Sequence, residues 1–237
     1  MDHNGNAHDL DYVLERGGTP DKQGAPVAFI ETAWRRYTKH SRNKAQEIQG
    51  AIIPLVETYR HSKPFVGAIL AGVFTQGALA QLSSLGFTVL YLPYESVVEV
   101  FGRFGIDAAF GEDTSDREFQ RKVAVYEALT SERRKGLARA LLKKHSADVD
   151  AFIRSLETSI ARRLESILLL PLYGRAYEAT SIAEAVDFLQ RHVSAPERLP
   201  VLRYEIQIRY GNGDRIEATF QDRETAIQYL RGLATGI

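Results

Sequence analysis

Leu10-Asp11-Tyr12-Val13-Leu14-Glu15 and Val27-Ala28-Phe29-Ile30-Glu31-Thr32-Ala33-Trp34 are the two stretches on which the fold turns. Each reads as a strand, and residues 16–26 between them (RGGTPDKQGAP) are rich in turn formers, so together they predict a hairpin. Asp11 stands at the head of the first strand and Glu31 toward the end of the second. Residues opposite one another across such a pair share a face, so the hairpin can converge two carboxylates on one point. The Thr32 carbonyl is a plausible third oxygen. Asp21 is a rival first acid, but it lies in turn chemistry and ranks below Asp11.

Working outward, Ser41 is placed to cap a helix from about Asn43 to Tyr59, where Ile48, Ile52, Leu55 and Val56 recur at helical spacing; Pro54 goes against it. PFVGAILAG (64–72) reads as a buried strand, TQGALAQLSSLG (75–86) as a helix closed by glycine, and FTVLYLP (87–93) as a second buried strand. The order strand, strand, helix, strand, helix, strand predicts an α/β fold with a mixed central sheet flanked by helices. Residues 94–104 predict a short helix. A helical insertion follows at about 117–165, in three amphipathic segments. SILLLPLYG (166–174) is expected to return a strand to the sheet, and Ser181 to begin a helix. The C-terminal RYEIQIRYGNGDRIEATF (203–220) predicts a hairpin turning at GNGD, then a short helix, so residues 197–237 form a ββα appendage to a main domain of 1–196.

Composition narrows the chemistry. The 237 residues carry 30 basic and 30 acidic side chains, so any attraction to nucleic acid must be local. With no cysteine, thiolate metal sites, disulfides and a cysteine nucleophile are excluded. Oxygen ligands and six scattered histidines remain, an inventory that favours a hard cation such as Mg2+, with Mn2+ as a substitute. No run is long enough to cross a bilayer, and the polar start MDHNGNAHD has no signal pattern, so the expected compartment is the cytoplasm and no membrane partner is expected. The glycines of GAILAGVFTQGALA lack the spacing and the lysine of a phosphate-binding loop. No Gly-x-Ser-x-Gly elbow or HExxH spacing occurs, and His8, His61, His145 and His192 read as surface residues.

The local basic excess follows the second strand. Between Thr32 and Gln46 the chain carries Arg35, Arg36, Lys39, His40, Arg42 and Lys44 and no acid, with Trp34 and Tyr37 interleaved. Such a segment attracts phosphates without regard to base sequence. Trp34, the single tryptophan, can stack on a base, although core packing is its expected role. Glu47 and Gln49 extend from the same helix as further candidates to complete a metal site.

The acid at the head of one strand, the Ile30-Glu31-Thr32-Ala33 run on the next, and the helix, strand, helix and strand that follow resemble the core of the PD-(D/E)xK nuclease superfamily over residues 8–93. The resemblance implies a restriction-endonuclease-like fold and magnesium-dependent hydrolysis of DNA, in restriction or host defence. Asp11, Glu31 and Thr32 would hold the metal, and Arg35, Arg36, Lys39 and Arg42 would hold DNA. Ala33 stands where the family motif has lysine. Some members supply that amine from the following helix, which points to Lys44 as the replacement, with Lys39 second. Cutting both strands would call for a homodimer. The alternatives are a DNA-binding module on the same core without catalysis and, more distantly, an α/β enzyme acting on a nucleotide or other small molecule.

Overall fold

In the computed structural model, which describes residues 2, 4–19, 21–38, 41–60, 62–171, 175–191 and 203–235, the two opening stretches form strands β1 (Tyr12–Arg16) and β2 (Ala25–Arg35). They pair antiparallel, with Tyr12 opposite Ile30 and Val13 opposite Phe29. Helix α1 (Ser41–Thr58) then returns the chain so that β3 (Phe65–Gly72) lies parallel to β2. Helix α2 (Gln76–Ser84) does the same for β4 (Thr88–Pro93), giving a four-stranded mixed sheet in the order β1-β2-β3-β4.

Two apolar layers hold this sheet. On one face Phe29, Ala68 and Leu70 meet Ala45, Ile48, Ile52 and Leu55 of α1 and Ala78 and Leu82 of α2. Each large aliphatic side chain taken fully out of water there contributes about 1.5–3 kcal/mol. On the other face Ala28, Ile30, Leu90 and Leu92 pack with Phe152. Phe152 belongs to α6 (Ser146–Ile160), which follows α3 (Tyr94–Arg103), α4 (Asp116–Glu127) and α5 (Ser131–Lys144). Ser115 and Thr130 cap α4 and α5 by accepting from the backbone N–H three residues on.

Three expectations are corrected. First, Ser41 is not an N-cap. It is the buried first residue of α1, and its hydroxyl donates to the Thr38 carbonyl at 2.9 Å. Pro54 is tolerated within α1 because the carbonyl it leaves unpaired belongs to Gly50, on the exposed side of the helix. Second, the SILLLPLYG strand does not rejoin the first sheet. As β5 (Leu164–Pro171) it pairs antiparallel with β7 (Tyr204–Tyr210), with Ile167 opposite Ile208 and Leu169 opposite Ile206. Ile167, Leu169 and Pro171 are buried while their neighbours are not, the alternation of a strand covered on one face. Third, the C-terminal hairpin is part of a larger unit. With β6 (Tyr177–Ala179) and β8 (Arg215–Phe220), β5 and β7 make a second antiparallel sheet ordered β6-β5-β7-β8, packed under α7 (Ile182–Arg191) and α8 (Arg223–Thr235). Residues 197–202 lie outside the described residues.

The molecule is thus a mixed α/β structure with a mixed sheet, an antiparallel sheet and, among the described residues, eight helices. No helix among those residues is long and apolar enough to cross a membrane. Arg162 links the two sheets. It donates to the Ser62 and Lys63 carbonyls, pairs with Asp214 in the β7–β8 turn at 3.4 Å, and stacks over the Tyr210 ring.

The carboxyl end of the first sheet depends on Gly72. Its φ is +99°, and a Cβ added there would sit 2.0 Å from the Arg35 carbonyl oxygen, which already accepts from the Val73 N–H at 2.6 Å. Gly72→Ala is therefore expected to cost about 3 kcal/mol or more, read as a drop in the midpoint of urea unfolding.

Candidate active site

Continued by one residue, the β1–β2 register sets Asp11 opposite Glu31. The contacts agree. The Asp11 N–H donates to Glu31 Oε1 at 3.3 Å, while Asp11 Oδ2 accepts from both the N–H and the hydroxyl of Thr32, each at 2.7 Å. Asp11 is exposed and Glu31 is buried, so the pair forms a half-open site where β1 runs out and β2 continues. Because the N–H and C=O of a strand residue point to the same edge, the Thr32 carbonyl lies on the Asp11 side. Among the described residues, no hydrogen bond engages Asp11 Oδ1 or Glu31 Oε2.

Electrostatics divides the two acids. The Thr32 hydroxyl and N–H hold the Asp11 carboxyl below its ordinary range against the opposing effect of burial, and the charge of Lys44 adds a lesser lowering. Burial, followed by the negative charge of Asp11, pushes Glu31 above its ordinary value of 4.5; the Asp11 N–H and Lys44 oppose that, and Asp9 adds to it. Glu31 thus sits where its negative charge is costly until a cation arrives. A folded-state pKa above the unfolded value means that the stability linked to Glu31 is complete below the ordinary glutamate range and is lost as pH rises through the folded pKa. Glu31→Gln is accordingly expected to raise Tm in metal-free buffer at neutral pH. The gain should shrink to nothing below pH 4.5, as checked by thermal melts across pH.

Lys44 reaches this pair from the first turn of α1. It acts on both carboxylates by charge, and its Nζ lies 3.3 Å from Glu47. Position 33 faces the same helix, where Ala33 packs against the apolar layer under α1. Glu47 also pairs with Arg35 at 3.6 Å, and Gln49 accepts from Gln81 at 3.1 Å, so neither is drawn to the acid pair. Asp9, two residues before Asp11, lies within electrostatic reach of Glu31 and was not singled out from sequence; the repeated acids of His8-Asp9-Leu10-Asp11 were its signal.

The donor set suits a small hard cation: two carboxylates and a carbonyl, all oxygen. Among the described residues no group of three or more His, Cys, Asp or Glu side chains is arranged to hold a metal, so the ion would keep part of its water shell. Magnesium commonly does so. Asp21 is exposed in the β1–β2 loop. His8 pairs with the buried Asp2 at 2.8 Å, and His145, at the end of α5, has a side chain only 13% exposed, so both are more covered than expected. His61 and His192 lie outside the described residues.

Among the described residues, the side chains of the basic segment have different surroundings. Arg42 is exposed on the first turn of α1. Arg35 is tied to Glu47 and to the Trp34 carbonyl. Arg36 donates to the Phe110 carbonyl at 2.6 Å and stacks 3.9 Å from the centre of the Tyr94 ring, an anchor between β2 and the loop after α3. Lys39 and His40 lie outside the described residues. Trp34, expected in the core, is 40% exposed.

Comparison with protein-family models, with curated proteins and with solved structures returned no match to this chain.

Proposed function

We propose that this chain is a magnesium-dependent DNA endonuclease of restriction-endonuclease-like type, serving restriction or host defence in the cytoplasm as a homodimer. The observation that carries the reading is the meeting of Asp11 and Glu31 at the open end of a hairpin, under the charge of Lys44. A bound Mg2+ or Mn2+ would supply charge neutralisation and an acidified water. Asp11, Glu31 and the Thr32 carbonyl would hold that ion, and the bonds from Thr32 fix the Asp11 carboxylate before substrate arrives. The Lys44 ammonium stands ready to stabilise negative charge on the phosphoryl oxygens. Arg42 and Arg35, with Arg36 and Lys39 nearby in sequence, attract the backbone.

The second reading is a DNA-binding module without catalysis. Two facts favour it: alanine occupies the motif lysine position, and Lys44 is drawn toward Glu47. Incubation of the full chain with supercoiled plasmid separates the readings. Metal-dependent nicking or linearisation that disappears in Asp11→Ala supports the nuclease, and binding without cutting under Mg2+ and Mn2+ supports the module. Failure to bind DNA at low salt sinks both, leaving an enzyme acting on a nucleotide or other small molecule.

A further inference from the structure

Two concavities flank the carboxyl end of β2 and share a wall. One, of about 420 Å³, is lined by Arg35, Arg36, Asn43 and Glu47. The other, of about 450 Å³, is almost wholly apolar, walled by Phe119, Val123 and Tyr126 of α4 and floored by Ala71, Val97 and Ile106. Trp34 and Phe110 border both. Helix α4 buries none of its own residues, yet Phe119, Val123 and Tyr126 fall on one face, four and three residues apart, turned to the second cavity. Phe119 meets Phe110 edge to face at 5.4 Å, and Tyr126 stacks on Phe101 at 6.3 Å. At the rim Lys122 is bound to Asp107 and to the Ala109 carbonyl and lies 3.6 Å from Glu118, which pins the loop after α3 to α4 and leaves the exposed Asp107 carboxylate as an acceptor beside the apolar walls.

From this juxtaposition we infer that the paired cavities take one unstacked nucleotide of a DNA strand, with its phosphate in the arginine-lined cleft and its base in the aromatic cavity. The volume falls within the range of ligand cavities, and the position, beyond the carboxyl ends of parallel strands, is where α/β sheets bind ligands. Aromatic walls stack on any base, and the Asp107 carboxylate at the rim is placed to accept from the base's polar edge. A second copy of the chain would cover the apolar cavity but gives no reason for two arginines, against the one acid Glu47, in the cleft behind the same Trp34 wall. Glu31 lies four residues before Arg35, about 13 Å along the strand, so the held nucleotide is a near neighbour of the phosphate to be cut. The inference rests on the part of the proposed function that has this chain bind DNA.

The single tryptophan makes the test direct. The full chain, in chelator without divalent ion, is titrated with a mixed-sequence single-stranded oligonucleotide and with a matching one containing abasic sites, while Trp34 emission is read. Saturable quenching by the first and much weaker quenching by the second is expected. Val123→Arg, at an exposed helix position, fills the cavity and should weaken oligonucleotide affinity about tenfold while leaving the far-ultraviolet circular dichroism unchanged. Equal quenching by both oligonucleotides overturns the inference, as does undiminished affinity in a folded Val123→Arg. So does conversion of a wild-type dimer to a monomer by that substitution, because a second copy would then be the occupant. Since no metal is present, quenching without plasmid cleavage defeats the nuclease reading alone, and cleavage without quenching defeats this inference alone.

Discussion

Glu31→Gln is expected to reduce magnesium-dependent DNA cleavage about a thousandfold or more, with folding and low-salt DNA binding retained. The magnitude follows from what is removed. A metal ion contributes several kcal/mol of charge stabilisation to phosphoryl transfer, and each 1.36 kcal/mol is a factor of ten in rate. Glutamine keeps the shape of the side chain and a carbonyl to accept the Asp11 N–H, so the hairpin end persists. The charge is lost, and with it one of the two carboxylates. Asp11→Ala should lose as much activity by the same route. It also releases two bonds from Thr32, so unlike Glu31→Gln it should lower Tm. Single-turnover cleavage of a labelled duplex, run beside thermal melts, separates these effects. Cleavage that survives both substitutions would remove the site.

Lys44→Met is expected to slow cleavage by about a hundredfold to ten-thousandfold, the range for a positioned proton-transfer or charge-stabilising group. The Lys44 side chain is 21% exposed on the first turn of α1, and a methionine of similar length fits there without disturbing Ala45 or Ile48 beneath it. Binding to DNA should fall only slightly, because one cation among several is removed. Lys44→Arg keeps the charge and should preserve binding but recover only part of the rate, since the planar guanidinium does not replace a compact ammonium. If kcat is unchanged in Lys44→Met, the basic residue serves attraction alone and the amine must come from elsewhere. Lys39 is then the next residue to replace.

Much of the first sheet was legible because its signals are local. Alternation and turn residues mark the β1–β2 hairpin, short apolar runs mark β3 and β4, and once the hairpin exists its period of two sets Asp11 and Glu31 side by side. What failed to show depends on partners distant in sequence. The period of β5 says strand, but nothing within residues 164–171 says that its neighbour is Tyr204–Tyr210 rather than the first sheet. Ser41 satisfied the pattern of a cap, yet the turn at Thr38 took its hydroxyl. Arg36 read as one phosphate contact among six bases, but its Nε is held by the Phe110 carbonyl, 74 residues on. Trp34 read as core because tryptophan usually is. The side chains that border it, from Ala71 through Tyr126, are gathered by tertiary packing, and no motif announced the cavity they make.

The proposed activity requires Asp11 and Glu31 to bind one divalent ion between them. Titration of the metal-free chain with Mn2+, followed by electron paramagnetic resonance, measures that directly. The account predicts one bound ion per chain in the wild type, displaced by Mg2+ and lost in both Asp11→Asn and Glu31→Gln, each folded by circular dichroism. Unchanged Mn2+ occupancy in those two variants, or none in the wild type at neutral pH, would contradict it.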